Sequence, residues 1–343
     1  MDFSLTTEQL ELRRMLRDVT ADQCSSARIR EVMATPSVVD SALWSLVVSD
    51  LGLLGVSAPE SAGGTDGTFV DAAVVIEEAG RGLWPIPILS ALVAVAALDA
   101  NAAPELLKAV VAGEWRVAFA VIDKATVSDG ALSGEGRHVL GARDAEALVV
   151  AASDGVYIAS PTACTTSVGL DLLRPLSTVR FDKCAAQQVG DAAAARRAVD
   201  VFRVALAVEA VGVATWCLDN TVAYLKTREQ FGRPIGSFQA LAHRAADLAV
   251  ELAGATSTAY YAAWTVDGAP EELPVVAPLA KSVCCDAAYR IAGETIQMHG
   301  GIGFTWEHDA HLYFKRATAL RLLLGDGSDQ RRLVADRAKL FTA

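Results

Sequence analysis

The sequence predicts an α+β protein with an N-terminal α-helical domain, a small middle β domain and a C-terminal four-helix bundle. Three observations predict this order. Apolar residues recur at helical spacing in the first third, short β-type runs separated by turn signals follow, and four long helical stretches complete the chain. We place the domains at residues 1–114, 115–190 and 191–343, and a total of 343 residues suits two or three domains.

Composition excludes several classes of protein. Hydrophobic residues make up 52% and charged residues 21%, which excludes an intrinsically disordered chain. The net charge of -11 argues against nucleic acid as a partner. The longest charge-free stretch, between Arg81 and Asp99, is too short for a membrane span and contains two prolines, so no membrane association is predicted. Six scattered cysteines without zinc spacing, and no signal peptide, predict a cytoplasmic protein with reduced thiols.

Helices fill the predicted N-terminal domain. Thr6 or Thr7 can cap a first helix, whose apolar residues recur at i, i+3, i+4 and i+7 as Leu12, Met15, Leu16 and Val19. Asp40 or Ser41 can cap a second helix. A polar, glycine-rich loop over residues 57–67 then precedes three more helical runs, at residues 69–80, 90–98 and 104–112.

The middle and C-terminal parts differ sharply in pattern. Short β-type runs occur at residues 117–122, 147–151, 156–159 and 179–181, and no helix-length segment separates them, which predicts an antiparallel sheet. From residue 191 onward the pattern is helical again. Long helices are predicted at residues 192–227, 238–266, 274–298 and 308–324, and helices of this length favour an up-and-down bundle.

A connection of unusual composition joins the first two bundle helices. Gly232, Pro234 and Gly236 force the chain through a tight path. Arg228, at the end of the preceding helix, carries a guanidinium that can hold a phosphate or diphosphate with paired hydrogen bonds. The alternative interpretation is that Arg228 caps the helix C-terminus and that Phe231 packs in the core.

A second glycine-rich segment, residues 297–304, ends the third bundle helix. Its three glycines in four positions can let the backbone approach a ligand, and exposed amides can meet an anion. The alternative is a glycine C-cap followed by a turn. His299 lacks a carboxylate or cysteine at ligand spacing, and His308 and His311 lack a metal-binding pattern, so no metal site is predicted.

Together these segments resemble one family, the acyl-CoA dehydrogenases, which are flavoproteins that oxidise acyl-CoA thioesters at Cα–Cβ. The pattern R-x-Q-F-G-x-P-I-x-x-F-Q is matched over residues 228–239, and Q-x-x-G-G-x-G-aromatic over residues 297–304. The first domain adds Leu-Gly-Leu-Leu-Gly-Val at residues 51–56 and Glu-Glu-Ala-Gly-Arg at residues 77–81. The resemblance covers nearly the whole chain and implies the same helix–β–helix order.

The resemblance implies that both signatures bind FAD across a subunit interface, at the ADP half of the neighbour's cofactor. Arg228 would contact the pyrophosphate. The residues implied to line that site and its adenosine side are Gln230, Phe231 and Gln239 from the first signature, and Gln297, Gly300, Gly301 and Gly303 from the second. An acyl-CoA substrate and an electron-transfer flavoprotein as electron acceptor are implied as well.

The carboxylate base that the family needs is missing from its usual place. The resemblance places that glutamate at Gly325 of this chain. Asp326 is one residue away and one methylene shorter, which makes it a weak candidate because proton transfer needs close contact with the carbon acid. Some relatives carry the glutamate 26 residues before Arg228, where this chain has Phe202. On the same helix, Glu209 is expected to be structural.

The middle domain also lacks the T-E-P-x-A-G-S-D-like loop and the W-I-T-like strand that cradle the flavin in competent members. With these parts missing, the chain resembles the non-catalytic subunit of actinobacterial α2β2 acyl-CoA dehydrogenases, and the resemblance implies that it completes the FAD site of a homologous catalytic partner. A steroid side-chain CoA thioester is a candidate substrate. Two alternatives stay open: a standalone homo-oligomeric enzyme with Asp326 as base, and a scaffold subunit that binds no flavin.

Overall fold

The N-terminal domain of the computed structural model, which describes residues 4–122 and 124–340, is helical as predicted. Its first helix, α1 (Thr7–Gln23), is capped by Thr6. The Thr6 hydroxyl accepts a hydrogen bond from the backbone of Gln9, whose side chain accepts one from the backbone of Thr6. The helices that follow are α2 (Ser26–Met33), α3 (Ser41–Trp44), which continues as a π-helical turn over Ser45–Asp50, α4 (Phe69–Arg81), α5 (Ile88–Ala97) and α6 (Pro104–Val111).

The middle domain is a sheet of short strands, β1 (Val117–Ile122), β2 (Thr126–Ser128), β3 (Ala131–Leu140), β4 (Ala147–Ala152), β5 (Gly155–Ala159), β6 (Ala163–Ser167) and β7 (Leu176–Asp191). The order is β1-β4-β5-β7-β3-β2, and β6 also pairs with β7. The expected all-antiparallel sheet is wrong for one pair, because β1 and β4 run parallel with Val117 opposite Ala147. β2 and β3 lie between them in sequence and supply the chain length that a parallel connection needs.

The C-terminal domain is the predicted bundle. Its helices are α7 (Ala192–Thr227), α8 (Gln239–Gly268), α9 (Leu273–His299) and α10 (Ala310–Leu322), followed by a shorter helix, α11 (Gly327–Arg337). A small hairpin of β8 (Glu229–Gln230) and β9 (Arg233–Pro234) connects α7 to α8. Asp191 caps α7 by accepting hydrogen bonds from the backbone of Ala193 and Ala194, so the sheet passes directly into the bundle.

Helix α7 is the central element of the fold. By length and composition alone it could cross a membrane, with a mean hydropathy of 1.7 over its most apolar window. However, 83% of that window is buried inside the protein, which is typical of the core helix of a soluble protein. Its apolar surface is therefore covered by neighbouring helices.

Glycines bring α4 and α7 into close contact. A Cβ at Gly212 would lie 1.9 Å from the carbonyl oxygen of Glu77, and a Cβ at Gly80 would lie 2.7 Å from Cγ of Glu209. Side chains at either position are therefore excluded by the backbone or side chain of the facing helix. This crossing joins the N-terminal domain to the bundle.

A buried charge network joins the middle domain to the bundle. Arg316 on α10 donates hydrogen bonds to Asp171 and, at 2.9 Å, to Glu209 on α7. Arg174 donates two hydrogen bonds to the same Glu209 carboxylate, one of them at 2.6 Å. Arg316, Asp171 and Glu209 are all buried. Two cations balance two anions, and Glu209 has the structural role that its sequence position suggested.

Candidate functional site

The two signature segments lie at one end of the bundle because α7 and α9 run in the same direction. At the middle of α9, Cys285 contacts the backbone carbonyl of Leu206, which lies near the middle of α7. Towards the end of α9, the Thr221 hydroxyl donates a hydrogen bond of 3.0 Å to the hydroxyl of Thr295. The C-termini of both helices therefore meet at the same end of the bundle.

Helix α8 runs in the opposite direction and begins at that same end. Arg244, in its second turn, forms an ion pair of 2.8 Å with Glu294 near the end of α9, and Glu251 pairs at 2.9 Å with Arg290. The positive N-terminal end of α8 therefore lies beside the C-termini of α7 and α9. We call this region, residues 228–239 and 297–304, the signature end.

Phe231 occupies the tip of the hairpin at the signature end. Phe231 and Gly232 have φ values of 54° and 75°, the pattern of a two-residue turn with both central residues in the left-handed region. A phenylalanine is strained in this conformation. Its side chain is 93% exposed and touches Phe238 edge-on, with 6.0 Å between ring centroids. The interpretation that Phe231 packs in the core is therefore wrong.

Arg228 ends α7 and leaves its side chain exposed. Its backbone N–H donates a hydrogen bond of 2.9 Å to the carbonyl oxygen of Tyr224, and its own carbonyl accepts one of 2.8 Å from Ile235. Within the described parts of the chain its guanidinium forms no hydrogen bond or ion pair. Arg228 is thus the helix cap through its backbone, while its guanidinium remains exposed. Gln230 and Gln239 are also exposed here.

The glycines of the second signature differ in what they contact. A Cβ at Gly300 or Gly301 would meet nothing within 4 Å, whereas one at Gly303 would lie 2.8 Å from the carbonyl oxygen of Ile296. Gly300 has a φ of 63° and caps α9, as the turn interpretation expects. Gly303 is explained by packing inside this chain. Gly301 has neither a left-handed φ nor an internal contact, so its backbone is open to an outside group.

His299 supports the same loop from inside. Its Nδ1 lies 2.7 Å from the carbonyl oxygen of Thr295, and its ring lies 4.4 Å from both Tyr224 and His308, measured between centroids. Burial lowers the pKa of His299, so its neutral form is favoured. Within residues 4–122 and 124–340, no group of three metal-ligating side chains is brought together.

Two family models match the chain. The model described as acyl-CoA dehydrogenase, N-terminal domain, matches residues 6–112, and the one described as acyl-CoA dehydrogenase, C-terminal domain, matches residues 192–339. The chain belongs to the acyl-CoA dehydrogenase family.

Relatives of this acyl-CoA dehydrogenase include the acyl-CoA dehydrogenase IpdE2 of Mycobacterium tuberculosis, 35% identical over 333 residues that cover 92% of this chain and 93% of IpdE2. Among solved structures, the ChsE4-ChsE5 complex from Mycobacterium tuberculosis superposes with a TM-score of 0.91 at 26% identity, with all of both chains covered. The Tcur3481-Tcur3483 steroid ACAD G363A variant superposes with a TM-score of 0.90 at 28% identity, covering 97% of this chain and 98% of that one.

In this member of the family, the turn at the position where the resemblance places the base is unusual. Leu324 and Gly325 both have positive φ, at 58° and 90°. The buried ammonium of Lys281 donates a hydrogen bond of 2.7 Å to the carbonyl oxygen of Gly325, and the Gln330 amide donates one of 2.6 Å to that of Leu324. A Cβ at Gly325 would lie 3.0 Å from the side chain of Asp329. The turn is therefore shaped for glycine.

Asp326 follows this turn and caps α11. Its Oδ1 accepts hydrogen bonds from the backbone of Ser328 at 2.8 Å and of Asp329 at 3.1 Å. These hydrogen bonds from Asp329 and Ser328 lower the pKa of Asp326, because they favour its charged form. A carboxylate held in this way is a weak proton acceptor. At the alternative base position, Phe202 is buried and packs edge-on against Phe119, at 5.6 Å between centroids.

Lys281 and Gln330 are the residues here that the sequence analysis missed. Lys281 is 1% exposed, and its Nζ also lies 3.3 Å from the carbonyl oxygen of Arg321. Its positive charge therefore stabilises the C-terminal end of α10. Burial lowers its pKa. The sequence contains one signal for this contact, a single lysine within the largely apolar run of residues 273–285. A buried lysine is tolerated in such a helix only when its ammonium has partners.

Proposed function

We propose that this chain is a subunit of an FAD-dependent acyl-CoA dehydrogenase, which introduces a Cα–Cβ double bond into an acyl-CoA thioester. In this proposal it completes the FAD site of a homologous catalytic partner and supplies no base of its own. The observation that carries the proposal is the exposed guanidinium of Arg228, which has no partner within the described chain and lies at the same end as the open backbone of Gly301.

The residues at the signature end fit the ADP half of FAD. A diphosphate needs cations and N–H donors, and Arg228, the N-terminal end of α8 and the open loop at Gly300 and Gly301 can supply them. Gln230 and Gln239 are exposed for hydrogen bonds to the ribose or phosphates, and Gln297 for the adenosine side. When bound, FAD accepts the hydride that leaves Cβ of the substrate.

Exposed apolar side chains at and beside the signature end support a partner subunit. Besides Phe231, Phe304 is 87% exposed and Trp306 is 63% exposed, and Ile302, two residues before Phe304, is also exposed. Large apolar groups concentrated on one surface mark interaction sites in soluble proteins. The occupant proposed is a homologous acyl-CoA dehydrogenase subunit, as the relatives solved as complexes suggest.

The remaining parts of the proposal are the substrate, the acceptor and the location. A steroid-derived acyl group is suggested by the steroid ACAD named among the structural relatives. An electron-transfer flavoprotein is proposed as acceptor. Six cysteines without a disulfide favour the reducing cytoplasm.

Co-expression tests the proposal against its alternatives. Purified alone, this chain should be colourless and inactive. Purified with a homologous subunit encoded beside it, it should give a yellow complex with about one FAD per heterodimer, since one shared site needs residues of both chains. A yellow, active homo-oligomer would establish the standalone enzyme instead, and a colourless stable complex would establish the scaffold.

Arg228→Ala should lower FAD retention in that complex. The loss of a charge-assisted contact to the diphosphate should weaken FAD binding by about tenfold or more. The measurement is the ratio of flavin to protein absorbance after extensive dialysis. Lys226→Ala removes an exposed cation two residues earlier and is the matched control. Equal FAD retention in both variants would reject the role of Arg228.

Asp326→Asn tests the standalone alternative. Asparagine preserves the helix cap but cannot accept a proton from a carbon acid. We expect the complex to turn over acyl-CoA at an unchanged rate, measured by reduction of an artificial electron acceptor. A fall of about a hundredfold or more, with normal FAD content, would instead identify Asp326 as the base.

Phe231→Asn should stabilise the fold of this chain and weaken its association with the partner. Asn-Gly is the preferred pair for this turn, so the substitution should relieve about 1 kcal/mol of backbone strain. The loss of an exposed aromatic anchor should weaken association with the partner by about 2 kcal/mol. Thermal unfolding and analytical ultracentrifugation measure the two effects. Val168→Asn, at an exposed valine in the middle domain, is the control, and equal dissociation constants for the two variants would contradict the role of Phe231.

A further inference from the structure

A cluster of three rings connects the two signatures inside the signature end. The ring of His299 lies 4.4 Å from that of Tyr224 and 4.4 Å from that of His308, measured between centroids. Tyr224 lies one turn before Arg228 on α7, and its carbonyl oxygen accepts the backbone hydrogen bond of Arg228. His299 directly precedes Gly300. The three residues, which we call the ring cluster, therefore contact the elements that position both signatures.

His299 fits this cluster only as a neutral ring. Its Nδ1 lies 2.7 Å from the carbonyl oxygen of Thr295, and since a carbonyl oxygen only accepts hydrogen bonds, Nδ1 carries the proton. Its Nε2 is buried and has no hydrogen-bond partner among residues 4–122 and 124–340. A second proton, on Nε2, would therefore create a buried cation with an unpaired donor.

His308 is held in the opposite neutral form. Its Nδ1 accepts a hydrogen bond of 3.1 Å from the backbone N–H of Ala310, the first residue of α10. Nδ1 is therefore unprotonated, and the neutral ring carries its proton on Nε2. A second proton, on Nδ1, would place two donors against each other and break the hydrogen bond at the start of α10, on the C-terminal side of the second signature.

The charges around the ring cluster do not compensate a second proton. The charged and titratable groups packed around it are Arg30 on α2, Asp309 beside His308, and His311 and Lys315 on α10, while α7 contributes the phenol of Tyr224. Asp309 already pairs with Arg30 at 2.6 Å. Burial and the neighbouring His299 lower the pKa of His308, and burial lowers the pKa of His299. A cation on either imidazole would thus meet a carboxylate that an arginine already occupies.

We propose that the ring cluster positions the two signatures for FAD only while both imidazoles are neutral, so that FAD binding at the signature end weakens in acid. His299 and His308 are then positioning residues, since neither needs to touch the cofactor. Once the loop opens, water solvates both rings and their pKa values return to about 6.5. The closed loop binds fewer protons than the open one, so its stability is complete above about pH 6.5 and falls below it. The inference rests on the proposed function, because it concerns regulation of the same FAD site.

The rate at which FAD leaves the complex with the homologous subunit tests the inference. We expect dissociation to be faster by about tenfold or more at about pH 5.5 than at about pH 7.5, measured by the appearance of free flavin fluorescence. In His308→Asn the ratio of the two rates should fall by about threefold or more, because the Asn side chain still accepts the hydrogen bond from Ala310 but does not titrate. His299→Asn should lower the ratio in the same way. His243→Asn, at an exposed histidine of α8, is the matched control and should leave the ratio unchanged.

The partner subunit is common to all of these variants, so its own titrating groups affect each ratio equally. A ratio near one in the unmodified complex, or the same ratio in His308→Asn as in His243→Asn, would overturn the inference. His308 is only half-buried, so His308→Asn serves if His299→Asn does not fold. A complex without FAD at neutral pH would overturn the proposed function and this inference together, whereas a yellow complex with equal ratios would overturn this inference alone.

Discussion

Arg316→Met is expected to lower the free energy of unfolding by about 3–5 kcal/mol, the range seen when one partner of a buried ion pair is removed. Asp171 and Glu209 would then share a buried region with only Arg174 as a cation. Asp171 would be left without its ion-pair partner. Chemical denaturation followed by circular dichroism, on the protein in its purified assembly, measures the change.

Two further variants make this prediction specific. Arg332→Met removes an arginine that is largely exposed and pairs with Asp329 at 3.4 Å, so it should cost less than about 0.5 kcal/mol. The double variant of Arg316→Met with Asp171→Asn should recover part of the loss, because the unpaired charge is removed while Asn can still accept the hydrogen bond from Leu173. Equal effects of Arg316→Met and Arg332→Met would contradict the structural role of the network.

Gly212→Ala is expected to lower the free energy of unfolding by about 3 kcal/mol, at the upper end for an added methyl group in a packed core. The new Cβ would stand 1.9 Å from the carbonyl oxygen of Glu77 and 2.9 Å from the backbone nitrogen of Arg81. Helices α4 and α7 must separate to admit it, and a rigid backbone cannot yield as a flexible side chain can.

Gly254→Ala is the matched control for Gly212→Ala. Gly254 lies inside α8, and a Cβ there would meet nothing within 4 Å. Alanine should therefore stabilise the helix by about 0.5–1 kcal/mol through its higher helix propensity. Both substitutions add one methyl group. If thermal unfolding shows that Gly212→Ala destabilises the protein and Gly254→Ala stabilises it, the loss is due to the contact between α4 and α7. Equal destabilisation by both variants would contradict this explanation.

The elements with strong periodicity or defined ends could be predicted from the sequence. Helix α7 and strand β1 have the predicted bounds, and the other three predicted bundle helices differ by a few residues at their ends. The predicted β-type runs do not include strands β2, β3 and β6. β3 carries Gly134 and Gly136 among charged residues, and β6 is largely exposed, so neither shows the apolar run of a buried strand. Helix α2 was also missed, because only Ile29 and Val32 of its eight residues are buried.

The candidate site was predictable only in part. The motifs identified Arg228 and the glycine loop, but their meeting at one end depends on the directions of α7, α8 and α9, which long-range contacts determine. The exposure of Phe231 could not be predicted from the sequence either, because an aromatic residue is more often buried than placed on a strained turn. The contacts of Lys281 with Gly325 and of Arg316 with Asp171 join residues 44 and 145 positions apart, and periodicity carries no information on such pairs.

The turn at Gly325 has an evolutionary consequence. A glycine codon can become a glutamate codon by one nucleotide change, yet glutamate at this position would need a left-handed backbone and would crowd Asp329. The carbonyls of the turn are also held by Lys281 and Gln330. Placing a carboxylate at this point therefore requires the turn to be remodelled together with the residue. A glutamate at position 325 would thus be opposed by the backbone, by Asp329 and by the two carbonyl contacts at once, so no single substitution can install it without cost.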